Sequence, residues 1–199
     1  MQPRSIQFAK YTANTIVVQF FILALTVATA IITARVLGPS GKGLFAILTL
    51  TAAIAVAVGG LGLGQAIVYY IGGRRRSLKE IASSSLLCHA FIGIIVAALL
   101  LLVVALLRET IYAGLPYSYI LLVIVLVPFM VITSSQLGVI QGLYKIPVYN
   151  FLHILQSALF LVLLVLLIIV GQWHLKGAII AWGVAQTAIF LGVLLVVLR

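Results

Sequence analysis

The sequence predicts an all-α integral membrane protein, a bundle of six transmembrane helices. Of its 199 residues, 65% are hydrophobic and only 7% are charged, and the mean hydropathy is +1.36. Soluble domains do not have this composition. The apolar residues fall into long runs, and a helix needs about 20 such residues to cross a bilayer. The runs lack the strict alternation of membrane strands, so helices are predicted.

Six runs are long enough to cross a membrane. They lie at residues 12–34, 44–71, 81–107, 118–140, 150–170 and 177–198. The first run follows Arg4 and Lys10 but is too long for a cleaved signal peptide, so we expect it to be retained. Because every gap is short, residues 1–199 are predicted to form a single transmembrane lobe.

The gap between the first two runs reads ARVLGPSGKG, residues 34–43. Gly38 and Pro39 are predicted to stop one helix, and the stretch from Gly41 to Gly43 to admit the next. A nucleotide-phosphate loop would need four residues between its glycines and a hydroxyl after its lysine, and this stretch has neither. The PSGH string of membrane lipid phosphatases has a histidine where Lys42 stands. A turn is therefore the preferred interpretation.

The second and fourth runs carry residues that weaken helices. Gly59, Gly60, Gly62 and Gly64 lie close together in the second run, and each lowers helix stability by up to about 1 kcal/mol relative to alanine. Pro128 is expected to kink the fourth helix. Bending helices suit an alternating-access transporter, and glycines equally suit tight helix packing.

The charge distribution predicts the topology. The formal net charge is +10, but the cations lie between the apolar runs, where they orient the helices and meet anionic lipid headgroups rather than nucleic acid. With the N-terminus inside, eight cations are cytoplasmic and four external, so both termini are predicted to be cytoplasmic. The cytoplasmic set is Arg4, Lys10, Arg74, Arg75, Arg76, Lys79, Lys145 and Arg199, and the external set is Arg35, Lys42, Arg108 and Lys176. Arg74, Arg75, Arg76 and Lys79 dominate and are predicted to be topology anchors.

The acids and histidines argue against an enzyme. Glu80 and Glu109 are the only acids, whereas membrane prenyltransferases and phospholipid synthases bind magnesium pyrophosphates through clustered aspartates. His89, His153 and His174 have no zinc-binding spacing and are interpreted as satisfied interhelical or interfacial residues. We therefore expect no catalytic residue, no metal and no cofactor.

Polar side chains inside the runs are the remaining candidates. Six of the first run fall within a sector of roughly 100° on a helical projection, and they are Thr12, Thr15, Gln19, Thr26, Thr29 and Thr33. Leu25 and Ile32 are assigned to the lipid side. Threonine can bond its own helix backbone, so the polar face is either a packing surface or the lining of a solvated cavity. The same alternatives apply to Tyr149, His153 and Gln156 in the fifth run and to Trp182 and Gln186 in the sixth.

Two stretches carry a family likeness. The first is ARVLGPSGKGLFAILTLTAAIAVAVGGLGLGQAIVYYIG. It resembles the N-terminal signature of polysaccharide-biosynthesis flippases of the multidrug/oligosaccharidyl-lipid/polysaccharide exporter superfamily: a helix, an A-R-x-L-G-P-x-x-x-G turn, a second helix and a G-L-G/S-x-A segment. The second is QGLYKIPVYNFLHILQSALFLVLLVLLIIVGQWHLKGAIIAW, which is similar to the fourth-to-sixth-helix region of that family.

The resemblance implies a fold and a function. Family members have twelve to fourteen helices in two lobes of six with the substrate path between the lobes, and this chain matches the first lobe. We therefore expect a fragment of a longer gene product, or a half-size protein that pairs with itself or with another half. The implied activity moves an undecaprenyl-pyrophosphate-linked oligosaccharide to the outer leaflet of a bacterial or archaeal cytoplasmic membrane for surface polysaccharide export, without covalent chemistry.

The resemblance also selects site candidates. Arg35 matches the turn arginine of the family and could bind a pyrophosphate through bidentate contacts, with interfacial anchoring as the alternative. The predicted substrate-path residues are Gln19, Thr26, Thr29, Thr33, Arg35, Gln65, His153, Gln156 and Gln186. A site for a coupling ion must lie elsewhere or use neutral ligands. Two other functions stay open: a multidrug extruder, which should show acidic cation-binding residues, and a non-transporting scaffold or accessory subunit.

Overall fold

The chain folds entirely into helices. A computed structural model describes residues 4–72 and 78–198, and the structure is 90% helical without strands in those ranges. The helices are α1 (Arg4–Gly60), α2 (Leu63–Gly72), α3 (Leu78–Leu106), α4 (Tyr117–Gly142), α5 (Ile146–Leu164) and α6 (His174–Leu198), and α5 continues as a π-helical segment, Val165–Val170. The predicted all-α class is confirmed.

The helices have the length and surface of membrane spans. Five helical stretches are long and apolar enough to cross a bilayer, namely Asn14–Gly60, Ala82–Leu106, Tyr117–Gly142, Ile146–Val170 and His174–Val197. Large apolar side chains cover their outward faces, and Phe20 and Leu195 are 74% and 66% exposed. Such a surface promotes aggregation in water but is the normal exterior of a bundle in lipid. The structure therefore supports a membrane-embedded protein.

Helix α1 folds back on itself at Gly38. This glycine has φ 67° and ψ 179°, which divides α1 into an N-terminal arm (residues 4–37) and a C-terminal arm (residues 39–60). Lys42 Nζ lies 2.8 Å from the carbonyl oxygen of Ala30, twelve residues earlier, and a straight helix would separate these residues by about 18 Å. The predicted turn is therefore present but shorter than expected: Gly38 alone departs from helical geometry, and Gly41 to Gly43 are already helical.

A second interruption lies between α1 and α2. Leu61 and Gly62 have φ values of 43° and 70°, so the helix is interrupted within the predicted second span at 44–71. The physical reason is the glycine cluster, which weakens the helix and lets the backbone approach α4. A Cβ on Gly59 would lie 2.8 Å from Val131 Cγ2, and one on Gly138 would lie 2.9 Å from the Gly64 carbonyl oxygen. Bending and tight packing, the two sequence alternatives, therefore occur together.

Helix α4 is the centre of the bundle. It contacts α1, α2, α3, α5 and α6, and its buried side chains, among them Val127 and Val131, form the middle of the main apolar core. Pro128 does not end the helix, which continues from Tyr117 to Gly142. Helix α3 packs against this proline. Gly93 of α3 lies so close to it that an added Cβ would be 2.8 Å from Pro128 Cα.

The charged ends of the bundle are described in part. Arg74, Arg75 and Arg76 lie outside the described residues, as does the side chain of Lys79, so their role as topology anchors stays a prediction. At the opposite end, the Tyr112 hydroxyl lies 3.1 Å from Thr51 Oγ1 and joins the α3–α4 loop to the C-terminal arm of α1. The orientation of the two ends across a membrane stays a prediction as well.

Replacing Gly38 by alanine tests the turn, with Gly43 as a matched control. An added Cβ would meet nothing within 4 Å at either position, but only Gly38 has a positive φ. We expect Gly38→Ala to lower the free energy of unfolding in detergent by about 1–3 kcal/mol, because essentially only glycine adopts a positive φ with ψ near 180°. Gly43→Ala should be neutral or stabilise by up to about 1 kcal/mol, since alanine favours a helix. Equal effects of the two substitutions would contradict the turn.

Candidate functional site

The polar face of the N-terminal arm is only partly buried. Thr29 and Thr33 are buried, whereas Gln19 and Thr26 are exposed, and the side chain of Thr12 lies outside the described residues. The threonine hydroxyls bond their own helix: Thr29 Oγ1 donates to the Thr26 carbonyl over 2.7 Å, and Thr33 Oγ1 to the Thr29 carbonyl over 2.8 Å. Thr29 and Thr33 therefore act in packing, and Gln19 and Thr26 are the accessible members of the face.

The lipid-side assignment of Leu25 and Ile32 is wrong. Both are half-buried, and Ile32 packs against the apolar cluster around Leu164 and Ile168. The polar stripe lies along one edge of the buried face of the arm. Apolar residues on the inner side of that stripe, such as Leu25 and Ile32, therefore also face the bundle. The lipid-exposed positions of the arm are instead residues such as Phe20.

Lys42 holds the turn closed. Its ammonium group donates to the Ala30 carbonyl oxygen over 2.8 Å and to Thr33 Oγ1 over 3.2 Å. A cation near the C-terminal carbonyls of a helix also interacts favourably with the helix dipole. Arg35, which the sequence favoured as an anion contact, is exposed on the surface beside this turn. The structural role in the turn therefore belongs to Lys42.

Three pairs of polar side chains lie on helices α1, α5 and α6. Asn150 Nδ2 donates to Thr15 Oγ1 over 3.3 Å, and Gln156 Nε2 donates to Gln186 Oε1 over 2.8 Å. Between these pairs, the rings of Tyr149 and His153 lie 4.5 Å apart. We call this set the polar ladder, and its members are Thr15, Tyr149, Asn150, His153, Gln156 and Gln186. Three predicted path residues, His153, Gln156 and Gln186, belong to it.

The polar ladder reaches from one end of the bundle toward its middle. Helix α5 begins at Ile146, so Asn150 lies about 6 Å and Gln156 about 15 Å along its axis at 1.5 Å per residue. The hydrocarbon core of a bilayer is about 30 Å thick. The Gln156–Gln186 pair therefore lies near half depth. Within the described part of the chain, Asn150 Oδ1 and His153 Nε2 are buried without a hydrogen-bond partner, so the ladder holds two unsatisfied polar atoms.

Gln65 lies on a different helix from the ladder. It is exposed on α2, which packs against α3 and α4, and its backbone N–H donates to the Gly62 carbonyl over 3.1 Å at the start of that helix. Trp182 lies one turn before Gln186 on α6, is half-buried and packs against the main core around α4.

Sequence reasoning missed two groups of polar residues. Asn150 was read only as the first residue of a span, although an amide at that depth requires a partner. A second group lies between α3 and α4 and consists of Ser85, His89, Ser135 and Gln136, which we call the α3–α4 cluster. The available signal was the helical spacing of Ser85 and His89 and the adjacent pair Ser135 and Gln136, which place polar atoms on facing helices.

Aromatic rings contact the cationic side chains of Arg108 and Lys176 at the end of the bundle opposite Asn150. Arg108 Nη1 donates to the Tyr112 carbonyl oxygen over 3.1 Å, and its guanidinium lies 5.9 Å from the ring of Tyr117. Lys176 Nζ lies 5.5 Å from the ring of Trp173. Such cation–π contacts and interfacial tyrosine and tryptophan are typical of membrane-protein ends. Across residues 4–72 and 78–198, no three His, Cys, Asp or Glu side chains are grouped to hold a metal ion.

No protein-family model, curated protein or solved structure gives a significant match to this chain. The class of this protein therefore follows from its own fold and polar ladder. The protein is a helical bundle with membrane-length apolar helices, and it has a ladder of polar side chains in its interior.

Leucine substitutions in the Gln156–Gln186 pair test the inner end of the ladder. We expect Gln156→Leu to lower the free energy of unfolding by about 1 kcal/mol, since interhelical hydrogen bonds in membranes contribute about 0.6 to 1.7 kcal/mol. The double substitution with Gln186→Leu should cost less than the sum of the single changes, because the second removes a group that has already lost its partner. Leu155→Ala, on the exposed side of the same helix, is the control. Strict additivity in detergent unfolding would disprove the contact.

Proposed function

We propose that this chain forms one lobe of a flippase that moves a lipid-linked oligosaccharide of the undecaprenyl-pyrophosphate type across a bacterial or archaeal cytoplasmic membrane for surface polysaccharide export. The observation that carries the proposal is the polar ladder, which reaches about half the depth of a bilayer inside a bundle whose outside is apolar. A hydrated headgroup needs such polar groups at depth, whereas a polyprenyl tail can stay in lipid. The sequence resemblance supports the same substrate.

The proposed lobe crosses the membrane six times. The two arms of α1 are the first two crossings, and α3 to α6 provide the other four. The N-terminal arm from Asn14 to Leu37 would be about 36 Å long, which is enough for one crossing. An even number of crossings leaves both termini on one side, and the distribution of cations favours the cytoplasmic side.

The charge of the bundle suits an anionic headgroup. The acids of the sequence are Glu80 and Glu109, and they lie in the first turn of α3 and in the α3–α4 loop, both exposed. The ladder presents amide, imidazole and phenol groups and no carboxylate, so it does not repel a pyrophosphate. We propose Arg35, exposed beside the Gly38 turn, as a phosphate contact at the outer end. The proposed process is transport, with no covalent step.

A second lobe would complete the path. Gln19 is exposed on the same arm of α1 whose Thr15 contacts Asn150. Exposed polar groups at membrane depth are costly in lipid. We propose that a further lobe, either from the same gene product or from a second half-transporter, covers this side, so that the headgroup passes between the two lobes.

Complementation tests the transport function. The full-length gene should restore surface polysaccharide in a flippase-deficient strain, and Gln156→Leu with Gln186→Leu should reduce the restored amount by about tenfold, which corresponds to about 1.4 kcal/mol of lost interaction. Leu155→Ala should retain full activity. Membrane levels of each variant are measured by immunoblot. A well-expressed wild type that restores nothing would disprove the proposed function.

Thiol accessibility tests the path directly. In the complete protein with Cys88→Ser, single cysteines replacing Gln19, Gln156 or Gln186 should react with a membrane-impermeant reagent applied from the cytoplasmic side, because the ladder opens there. Cysteines replacing Phe20, Phe151 or Leu191 should not react, since these residues lie on exposed apolar faces. Equal labelling or equal protection of the two sets would show that the ladder is a packing surface.

A further inference from the structure

The α3–α4 cluster is a sealed polar site away from the ladder. His89 is 2% exposed, and Ser135 and Gln136 are completely buried. Ser85 Oγ donates to Ser135 Oγ over 3.4 Å, and the His89 Nδ1 atom lies 2.8 Å from the Ser85 carbonyl oxygen. Gln136 Nε2 donates to the Ala82 carbonyl and to Ser135 Oγ, both over 3.5 Å. The contacts of Ser135 and Gln136 with Ser85 and Ala82 therefore join α4 to α3 through polar groups.

The hydrogen atoms of the cluster can be assigned. A carbonyl oxygen only accepts, so His89 Nδ1 must carry a hydrogen, and in a neutral imidazole Nε2 is then an acceptor. Gln136 donates through Nε2, so its Oε1 is a second acceptor. Both serine hydroxyl hydrogens are used, because Ser85 donates to Ser135 and Ser135 donates to the Ile132 carbonyl over 3.1 Å.

Two buried acceptors therefore lack donors. His89 Nε2 and Gln136 Oε1 have no hydrogen-bond partner among the described residues, and a buried acceptor without a partner is unfavourable. A ligand must bring hydrogens or positive charge. Alkali and alkaline-earth cations prefer several oxygen ligands, usually with carboxylates. The two acids of the sequence lie at exposed positions outside this cluster, so a neutral donor fits better.

We propose that the α3–α4 cluster is a buried water-binding site, in which water donates to His89 Nε2 and Gln136 Oε1. Buried water typically makes about three hydrogen bonds to polar groups that would otherwise be unsatisfied, and the cluster supplies two acceptors and two serine oxygens. The residues that contact His89 and Gln136 in the cluster, Ala82, Ser85 and Ser135, have small side chains. This inference does not depend on the proposed transport function.

The location of the site has a mechanical consequence. Ser134, the neighbour of Ser135, lies beside Gly60 and Gly64, which flank the interruption at Leu61 and Gly62. Water can satisfy backbone groups that a bent helix releases. The site therefore lies on the same turn of α4 as the contact with this interruption.

A double-mutant cycle in the full-length protein tests the site. His89→Phe and Gln136→Met each remove one acceptor, and each should shift the unfolding equilibrium toward the unfolded state. Their combined effect should be smaller than the product of the separate effects by about fivefold, since the first change already releases the water. If no water joins the two acceptors, the separate effects should multiply, which would overturn the proposal.

Radiolytic labelling in ¹⁸O-water detects water bound next to a side chain. A direct contact between the side chains of His89 and Gln136 would not produce this signal. His89 should be oxidised despite its burial, and its oxidation should fall severalfold in Gln136→Met. Tyr112, a buried aromatic whose hydroxyl is already bonded to Thr51, is the protected control. Protection of His89 in the wild type would overturn the proposal. The proposal would also be overturned if the protein were more stable in sodium or potassium salts than in choline salts and His89→Phe abolished this difference. That result would identify a cation as the ligand.

Discussion

The need to satisfy polar groups inside a medium without water constrains the whole structure. Helices answer this need for the backbone, but the side chains of the bundle must find partners one by one. The buried threonines of α1 bond their own carbonyls, Lys42 donates to the arm that precedes it, and Gln156 donates to Gln186. The polar residues that are left with unsatisfied atoms are concentrated in the ladder and in the α3–α4 cluster.

Close backbone contact is the second determinant of the fold, and it depends on the first. Without a strong hydrophobic force between helices in lipid, association relies on packing and small residues. Gly59, Gly93 and Gly138 each lie so close to a neighbouring helix that a Cβ would collide. Each of the three contacts joins α4 to a neighbouring helix. The central helix is therefore held by glycine contacts on two sides, and the interruption at Leu61 and Gly62 lies beside one of them.

The features that were predictable from sequence are those with local causes. Hydropathy identifies the helical class and the approximate spans because each span is apolar by itself, and Gly38 with Pro39 marks the first turn. The burial of Leu25 and Ile32, and the contact of Asn150 with Thr15 across 135 residues, depend on which helices become neighbours. Helical periodicity finds a polar stripe but does not reveal whether its centre or its edge faces the bundle. The cluster around His89 was missed for the same reason.

The two polar systems differ in access, and this difference separates their roles. The ladder includes half-buried side chains such as His153 and Gln156 besides the buried Asn150, so part of it lies at the surface of the bundle. The α3–α4 cluster is fully enclosed, so only a very small molecule can occupy it without moving α3 from α4. The headgroup of the proposed substrate would therefore contact the half-buried part of the ladder, whereas the cluster would influence the proposed transport only through the packing of α3 against α4.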